Sequence, residues 1–380
     1  MQILHSLPKD DGFHMPAEFE AHLGCILIWP ERRDSWQFGA YAARKAFSKL
    51  VNAISLEGHE KVTVACSHSQ YKQARACLDP SVRVIEMSSD DSWARDIGPS
   101  FVINNDGLIR GINWSFNAWG GLYNGLYFPW DKDDDCALKL CDLYDADAYD
   151  ASDFVLEGGS IHSNGQGLIM TTEACLLSKG RNPDLSREEI EKKLCSYLGA
   201  EEVLWLPRGI YNDETDEHVD NIAAFAAKDH VLIAYCDDES DPQYELSQAS
   251  LKAIEAYNES HEQKLKITKL PMPYPITMRE EECQGLDNWG FEPTRTPGER
   301  LAASYANFYI ANDSVLMPGF ANEERKDSPD YEIQHKRDAE ALSIMKEAFP
   351  DRKVIMIYAR DILIGGGNIH CITQQVPKKA

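Results

Sequence analysis

The hydrophobic patterning of these 380 residues predicts a mixed α/β fold built from five helix-plus-strand units. Three observations carry it. Five segments repeat apolar residues at helical spacing, and an extended apolar run follows each of them. Strand candidates outnumber helices by about two to one in mixed order, which argues against a Rossmann sheet or a β/α barrel.

The first helix sets Phe47, Leu50, Val51 and Ile54 at i, i+3, i+4 and i+7, and Gly58 closes it. The second has Ala137, Leu140, Cys141 and Tyr144 at the same spacing. The third opens on a capping box, Ser186 with Glu189, continues through Ile190, Leu194, Tyr197 and Leu198, and stops at Gly199. The fourth runs from about residue 244 to 257 with Leu251 and Ile254 inward; the fifth has Leu342, Met345 and Phe349 and ends at Pro350. The runs after them are 62–66, 154–156, 203–206, 267–272 and 354–358. Further strands are expected at 83–87, 101–103, 222–226, 231–235, 308–310 and 315–317. Residues 131–135 read as a solvated acidic loop, and nothing divides residues 1–380 into more than one catalytic domain. Loops dense in glycine and polar residues occupy 88–99, 157–167, 212–221 and 365–375. Equivalent units in a ring would bring these loops to one central place.

Charge narrows the partners. Against 38 Lys and Arg stand 62 Asp and Glu, a net charge of −24. That lacks the basic stripe a nucleic acid needs, and its field concentrates cations. No stretch approaches the roughly 20 apolar residues of a membrane span. Residues 25–29, the longest apolar piece near the start, stop at Pro30. A soluble cytoplasmic protein with no membrane partner is the expectation. The ten cysteines include no CxxC pair, so no metal site is expected, and most should be reduced and buried.

Four segments could carry chemistry. In Gly365-Gly-Gly-Asn-Ile-His-Cys371, three glycines let backbone approach a ligand, and Cys371 follows at the edge of a strand-like run. A buried structural cysteine is the plainer alternative. In Asp213-Glu-Thr-Asp-Glu-His-Val-Asp220, a strand would place His218 and Asp220 on one face, an acid/base beside a cation anchor. A solvated acidic loop would read the same way. Asp91-Ser-Trp-Ala-Arg-Asp96 pairs Trp93 with an Arg–Asp couple, and Leu156-Glu-Gly-Gly159 offers Glu157 before glycines. Alone, these two are an ordinary turn and a weak motif. Together they put a thiol and an imidazole among carboxylates. Anions oppose a thiolate unless the ligand brings positive charge, and a guanidinium's planar fork matches paired carboxylates.

These residues also carry a resemblance. Met15–His22, Trp29–Arg32, Asp91–Pro99, Leu156–Gly159, Thr171–Leu177, Asp216–Asn221 and Gly365–Cys371, in order along nearly the whole chain, are similar to the motifs of the agmatine deiminases of the guanidino-modifying superfamily. The resemblance implies a five-bladed α/β propeller around a central site, no metal or organic cofactor, and a homo-oligomer. It implies Cys371 as nucleophile, His218 as acid/base, Asp96 and Asp220 as guanidinium clamp, and Glu157 near the substrate. For agmatine, a small cationic substrate, Asp213 and Glu214 are expected at the distal ammonium, with Trp93 or Trp119 along the chain. Arg95 and Arg181 keep arginine and peptidyl-arginine deimination open, since either could meet an α-carboxylate. An amidinotransferase and a non-catalytic polyamine-binding protein are the remaining alternatives.

Overall fold

The computed structural model describes residues 1–287 and 294–378. Among them the strands form five separate small sheets, and none closes on itself. The first unit comprises β1 (His22–Ile28), α1 (Gln37–Leu56), β2 (Lys61–Cys66) and β3 (Arg83–Glu86), its strands parallel. The second has β4 (Ser100–Asn104), β5 (Ile109–Ser115), α2 (Cys136–Leu143) and β6 (Asp147–Val155). The third has β7 (Ile161–Ser163), β8 (Leu168–Thr172), α3 (Arg187–Leu198) and β9 (Glu202–Leu206). The fourth has β10 (Ala223–Ala227), β11 (His230–Tyr235), α4 (Gln243–Ser260) and β12 (Lys266–Pro271). The fifth has β13 (Tyr309–Ile310), β14 (Ser314–Gly319), α5 (Tyr331–Ala348) and β15 (Lys353–Tyr358).

In the last four units the first two strands are antiparallel and the third runs parallel to the second. A helix bridges each parallel pair, because parallel neighbours cannot be joined by a tight turn. The first unit lacks an opening strand of its own. β16 (Gln374–Pro377), from the far end of the sequence, supplies it by pairing antiparallel with β1, Gln374 opposite Ile26 and Gln375 opposite Cys25.

The five expected helices all form, and their apolar faces explain why. Phe47, Leu50, Val51 and Ile54 of α1 are fully buried, each contributing roughly 1.5–3 kcal/mol. The capping box on α3 is complete in both directions, and Gly199 ends it at φ 60°. One apolar cluster joins residues as distant in sequence as Cys25 and Ile372, and a second lies between the second and third units.

Three local expectations are corrected. Residues 131–134 form a helical turn rather than a solvated loop, and Asp133 is wholly buried. It accepts from the Asp90 and Asp91 amides at 2.6 and 3.0 Å and from the Tyr127 hydroxyl at 2.5 Å. It thereby anchors the segment leading to Trp93. Burial pushes its pKa up to about 7, against those hydrogen bonds. His218 and Asp220 do not lie on a strand. His218 caps a single helical turn, Val219–Ile222, and β10 starts only at Ala223. Cys371 likewise sits in a turn three residues ahead of β16.

Candidate active site

The segments between consecutive units deliver the site one group at a time. Asp96 comes from the link between β3 and β4, Glu157 from β6–β7, His218 and Asp220 from β9–β10, Asn307 from β12–β13, and Cys371 from β15–β16. All are buried.

Their meeting point is Gly159. A Cβ on Gly159 would lie 2.7 Å from His218 Nδ1, 2.8 Å from Asp96 Oδ1 and 2.9 Å from Asp220 Oδ2. Only a residue without a side chain leaves that space to the three polar atoms. The Gly159 amide also donates to Asp96 Oδ1 at 2.8 Å, while Trp119 Nε1 donates to Oδ2 at 2.9 Å. Gly159→Ala is therefore expected to cut kcat/KM by more than about 100-fold with thermal unfolding little changed, because a displaced clamp loses reactive geometry rather than packing. Near wild-type kinetics in that variant would mean that the three groups do not act around this point.

Cys371 Sγ is 3.8 Å from Asp220 Oδ2, and Asn307 Nδ2 donates to the sulfur at 3.3 Å. Burial, followed by the Asp220 and Asp96 carboxylates, raises the thiol well above its ordinary pKa. A unit positive charge about 4 Å away is worth roughly 4 kcal/mol at an effective dielectric of 20, about three pK units. A bound cation would therefore favour the thiolate, whereas burial beside two carboxylates favours the protonated thiol. Asp96 is pushed up to about 6, first by burial and then by Asp220 and Glu157, with His218 opposing. His218 moves the other way. Burial disfavours its charge, but Asp96, Cys175 and Glu157 together raise its pKa well above that of a free imidazole.

Glu157 stands behind the imidazole, with Oε2 3.6 Å from His218 Nε2 and Oε1 2.7 Å from Arg181 Nε. Burial would lift its pKa, yet Arg181 and His218 hold it at about 2. Cys175 shares that spot: its sulfur, a His218 ring nitrogen and a Glu157 oxygen lie within 4.8 Å of one another.

Trp93 and Trp119 meet edge to face at 6.4 Å and, with Tyr127, Glu214, Arg295 and Gly365, bound a cleft beside the clamp. A Cβ on Gly367 would lie 2.4 Å from the Trp93 ring and 3.1 Å from Cys371 Cβ, so the glycine run sets the indole against the turn that carries Cys371. Glu214 reaches the cleft but is paired in a fork with Arg295. Asp213 is turned inward. Its carboxylate accepts from the Thr215 amide and hydroxyl and from Asn221 Nδ2 at 2.8 Å, which shapes the loop rather than facing the cleft. Arg95 pairs with Glu18 at 2.9 Å, and Arg181 is taken by Glu157 and Asp216. Sequence reasoning assigned no role to Asn307 or Cys175. Asn307 stands in no recognisable motif, whereas Cys175 lies inside the quoted segment Thr171–Leu177.

Over residues 14–377 the chain matches the Porphyromonas-type peptidyl-arginine deiminases, and it belongs to that family. Within it, the chain is similar to proteins named for one small substrate. It is 48% identical to the agmatine deiminase of Pseudomonas aeruginosa, covering 98% of this chain and 97% of that one. The structure of agmatine deiminase from Enterococcus faecalis superposes with a TM-score of 0.92 at 44% identity, over 100% of both chains. A Cys-to-Ser variant of the C. jejuni agmatine deiminase, solved with substrate bound, gives 0.79 at 25% identity over 96% of each.

Proposed function

We propose that this chain is an agmatine deiminase, hydrolysing agmatine to N-carbamoylputrescine and ammonia. The observation that carries the reading is the pair of buried carboxylates beside the thiol. Asp220 Oδ1 is sequestered from solvent with no donor of its own, an acceptor facing the space where a guanidinium N–H would fit. Family membership and full-length similarity to agmatine deiminases support the same substrate.

In the mechanism we propose, Asp96 and Asp220 hold the guanidinium plane against Cys371. The bound cation lowers the thiol's pKa, the S–H proton is lost to solvent, and the thiolate attacks the central carbon. His218, protonated, gives its proton to a terminal nitrogen, the C–N bond breaks and ammonia leaves. An amidino thioether remains on Cys371. Water then attacks the same carbon and His218 takes its proton. The C–S bond breaks with return of the electron pair to sulfur, leaving a urea. Mass spectrometry after brief exposure to agmatine should find the amidino adduct on Cys371; its absence under turnover would refute the covalent route.

The surroundings favour agmatine over arginine. Every arginine named at the site already holds a carboxylate: Arg95 with Glu18, Arg181 with Glu157, Arg295 with Glu214. An arginine α-carboxylate would have to break one of these pairs. We expect kcat/KM for agmatine to exceed that for free arginine or an arginine-containing peptide by about 100-fold or more, in line with the cost of unpairing a buried charge. Equal values would favour a broader deiminase. The acid limb of kcat/KM for agmatine should fall near pH 6, where Asp96 takes up a proton and the clamp loses one charge.

We also propose that the five units close as a five-bladed propeller forming one catalytic domain over residues 1–380. Five three- to five-stranded sheets, the borrowed β16 and the apolar cluster spanning Cys25 to Ile372 support that reading. Among the described residues no helix is long and apolar enough to cross a membrane.

A further inference from the structure

A buried line of charges runs behind Asp220 and takes no part in the chemistry above. His370 Nδ1 lies 2.8 Å from Asp220 Oδ2, and His370 Nε2 lies 2.8 Å from Glu18 Oε2. Arg95 Nη2 donates to that same Glu18 oxygen at 2.9 Å. All four side chains are buried. An ionised carboxylate only accepts hydrogen bonds, so both contacts of the ring are hydrogen bonds only if both nitrogens carry protons. A neutral imidazole would turn a lone pair toward one of the two carboxylates.

We infer that His370 is a positioning residue: a standing imidazolium, sustained by Glu18 against the nearby charge of Arg95, that orients Asp220 and keeps it anionic before substrate arrives. The inference rests on the clamp role proposed for Asp220. It explains an asymmetry between two equally buried carboxylates. Asp96, served by an amide and an indole N–H, is pushed up to about 6 by burial and its acidic neighbours. Asp220 suffers the same burial, yet the hydrogen bond and charge of His370 bring it below the ordinary carboxylate value. One arm of the clamp is then charged across the working range, and the other is charged only above about pH 6.

The charged and titratable groups facing His370 are Glu18, Asp220, Arg95 and His162. The His162 ring stacks on it at 6.0 Å. Burial, with His370 and Arg95, holds His162 at about 4, so it stays neutral and adds no competing charge. Arg95 also ties this line to the nucleophile, since its own amide donates to the Cys371 carbonyl at 3.2 Å.

Glu18→Gln keeps the shape and removes the charge that sustains the imidazolium. KM for agmatine should rise at least about tenfold with kcat changed less. The acid limb of kcat/KM should move up by about one pH unit, because Asp220 then titrates alongside Asp96. Glu18→Asp should restore the limb in part. An unchanged KM and limb in a folded Glu18→Gln variant would overturn the inference. A measurement on the unaltered protein does not depend on that variant folding. Nitrogen-15 histidine NMR at pH 8 should show an imidazolium with both ring nitrogens protonated that persists in His218→Asn. A neutral ring at His370 would overturn the inference equally. Were the unaltered protein to release no ammonia from agmatine, the functional reading would fall, and the NMR result would still decide the state of His370.

Discussion

Cys371→Ser is expected to abolish turnover, with kcat reduced on the order of 10⁴-fold or more, the scale seen when a nucleophile is removed from a covalent enzyme. The fold should survive. Serine differs by one atom, and the turn is held by groups outside the thiol, including the Arg95 amide on the Cys371 carbonyl and the Asn307 side chain on the His370 amide. Agmatine should still bind. Burial and the neighbouring carboxylates favour the protonated thiol until the cation arrives, so its replacement takes little negative charge from the clamp. Calorimetry should therefore give a dissociation constant within a few-fold of the wild-type KM while ammonia release disappears. Turnover within tenfold of wild type would end the nucleophile assignment.

Asp96→Asn is the second large effect. It keeps the volume and one acceptor but removes the charge, in a buried site where leaving a cation without its partner costs about 3–5 kcal/mol, a loss of roughly 10²- to 5 × 10³-fold in kcat/KM. Most of it should appear in KM, since the substrate loses one of its two carboxylates. A signature separates this from general damage. If Asp96 sets the acid limb expected near pH 6, the residual activity of the variant should no longer fall through that region. A limb still centred at 6 would assign that titration to another group and weaken the clamp.

The helices were legible because their signals are local: the Ser186–Glu189 box, Gly199 at its end, and the inward row of α1 all lie within a few turns of chain. Strands β2 to β4, β6 and β9 to β15 were legible at least in part for the same reason. β16 was not. Gln374 and Gln375 are polar by composition, and they are buried only because β1 lies across from them. Nor was β5, where Arg110 falls on the same face as Ile112 and Trp114 and breaks the alternation that Asn113 and Ser115 keep. The candidate residues could be named from motif and charge logic, but not their arrangement. The strand argument for His218 and Asp220 gave the wrong local geometry, and what unites them is a glycine from another unit. The acidic run at 131–135 conceals Asp133, whose burial depends on amides forty residues upstream. The link between His370 and Glu18 is still more distant, and no spacing rule reaches it.

The borrowed strand has a kinetic side. β16 follows every other described strand in sequence, and Cys371 lies just ahead of it. A ribosome making the chain in order adds the Cys371 sulfur after Asp96, Glu157, His218 and Asp220, and the strand that follows it pairs with β1. Docking of that strand on β1 and delivery of the sulfur to its neighbours would then be coupled. An unfinished polypeptide would hold a cation-attracting pocket but nothing able to attack what it captures.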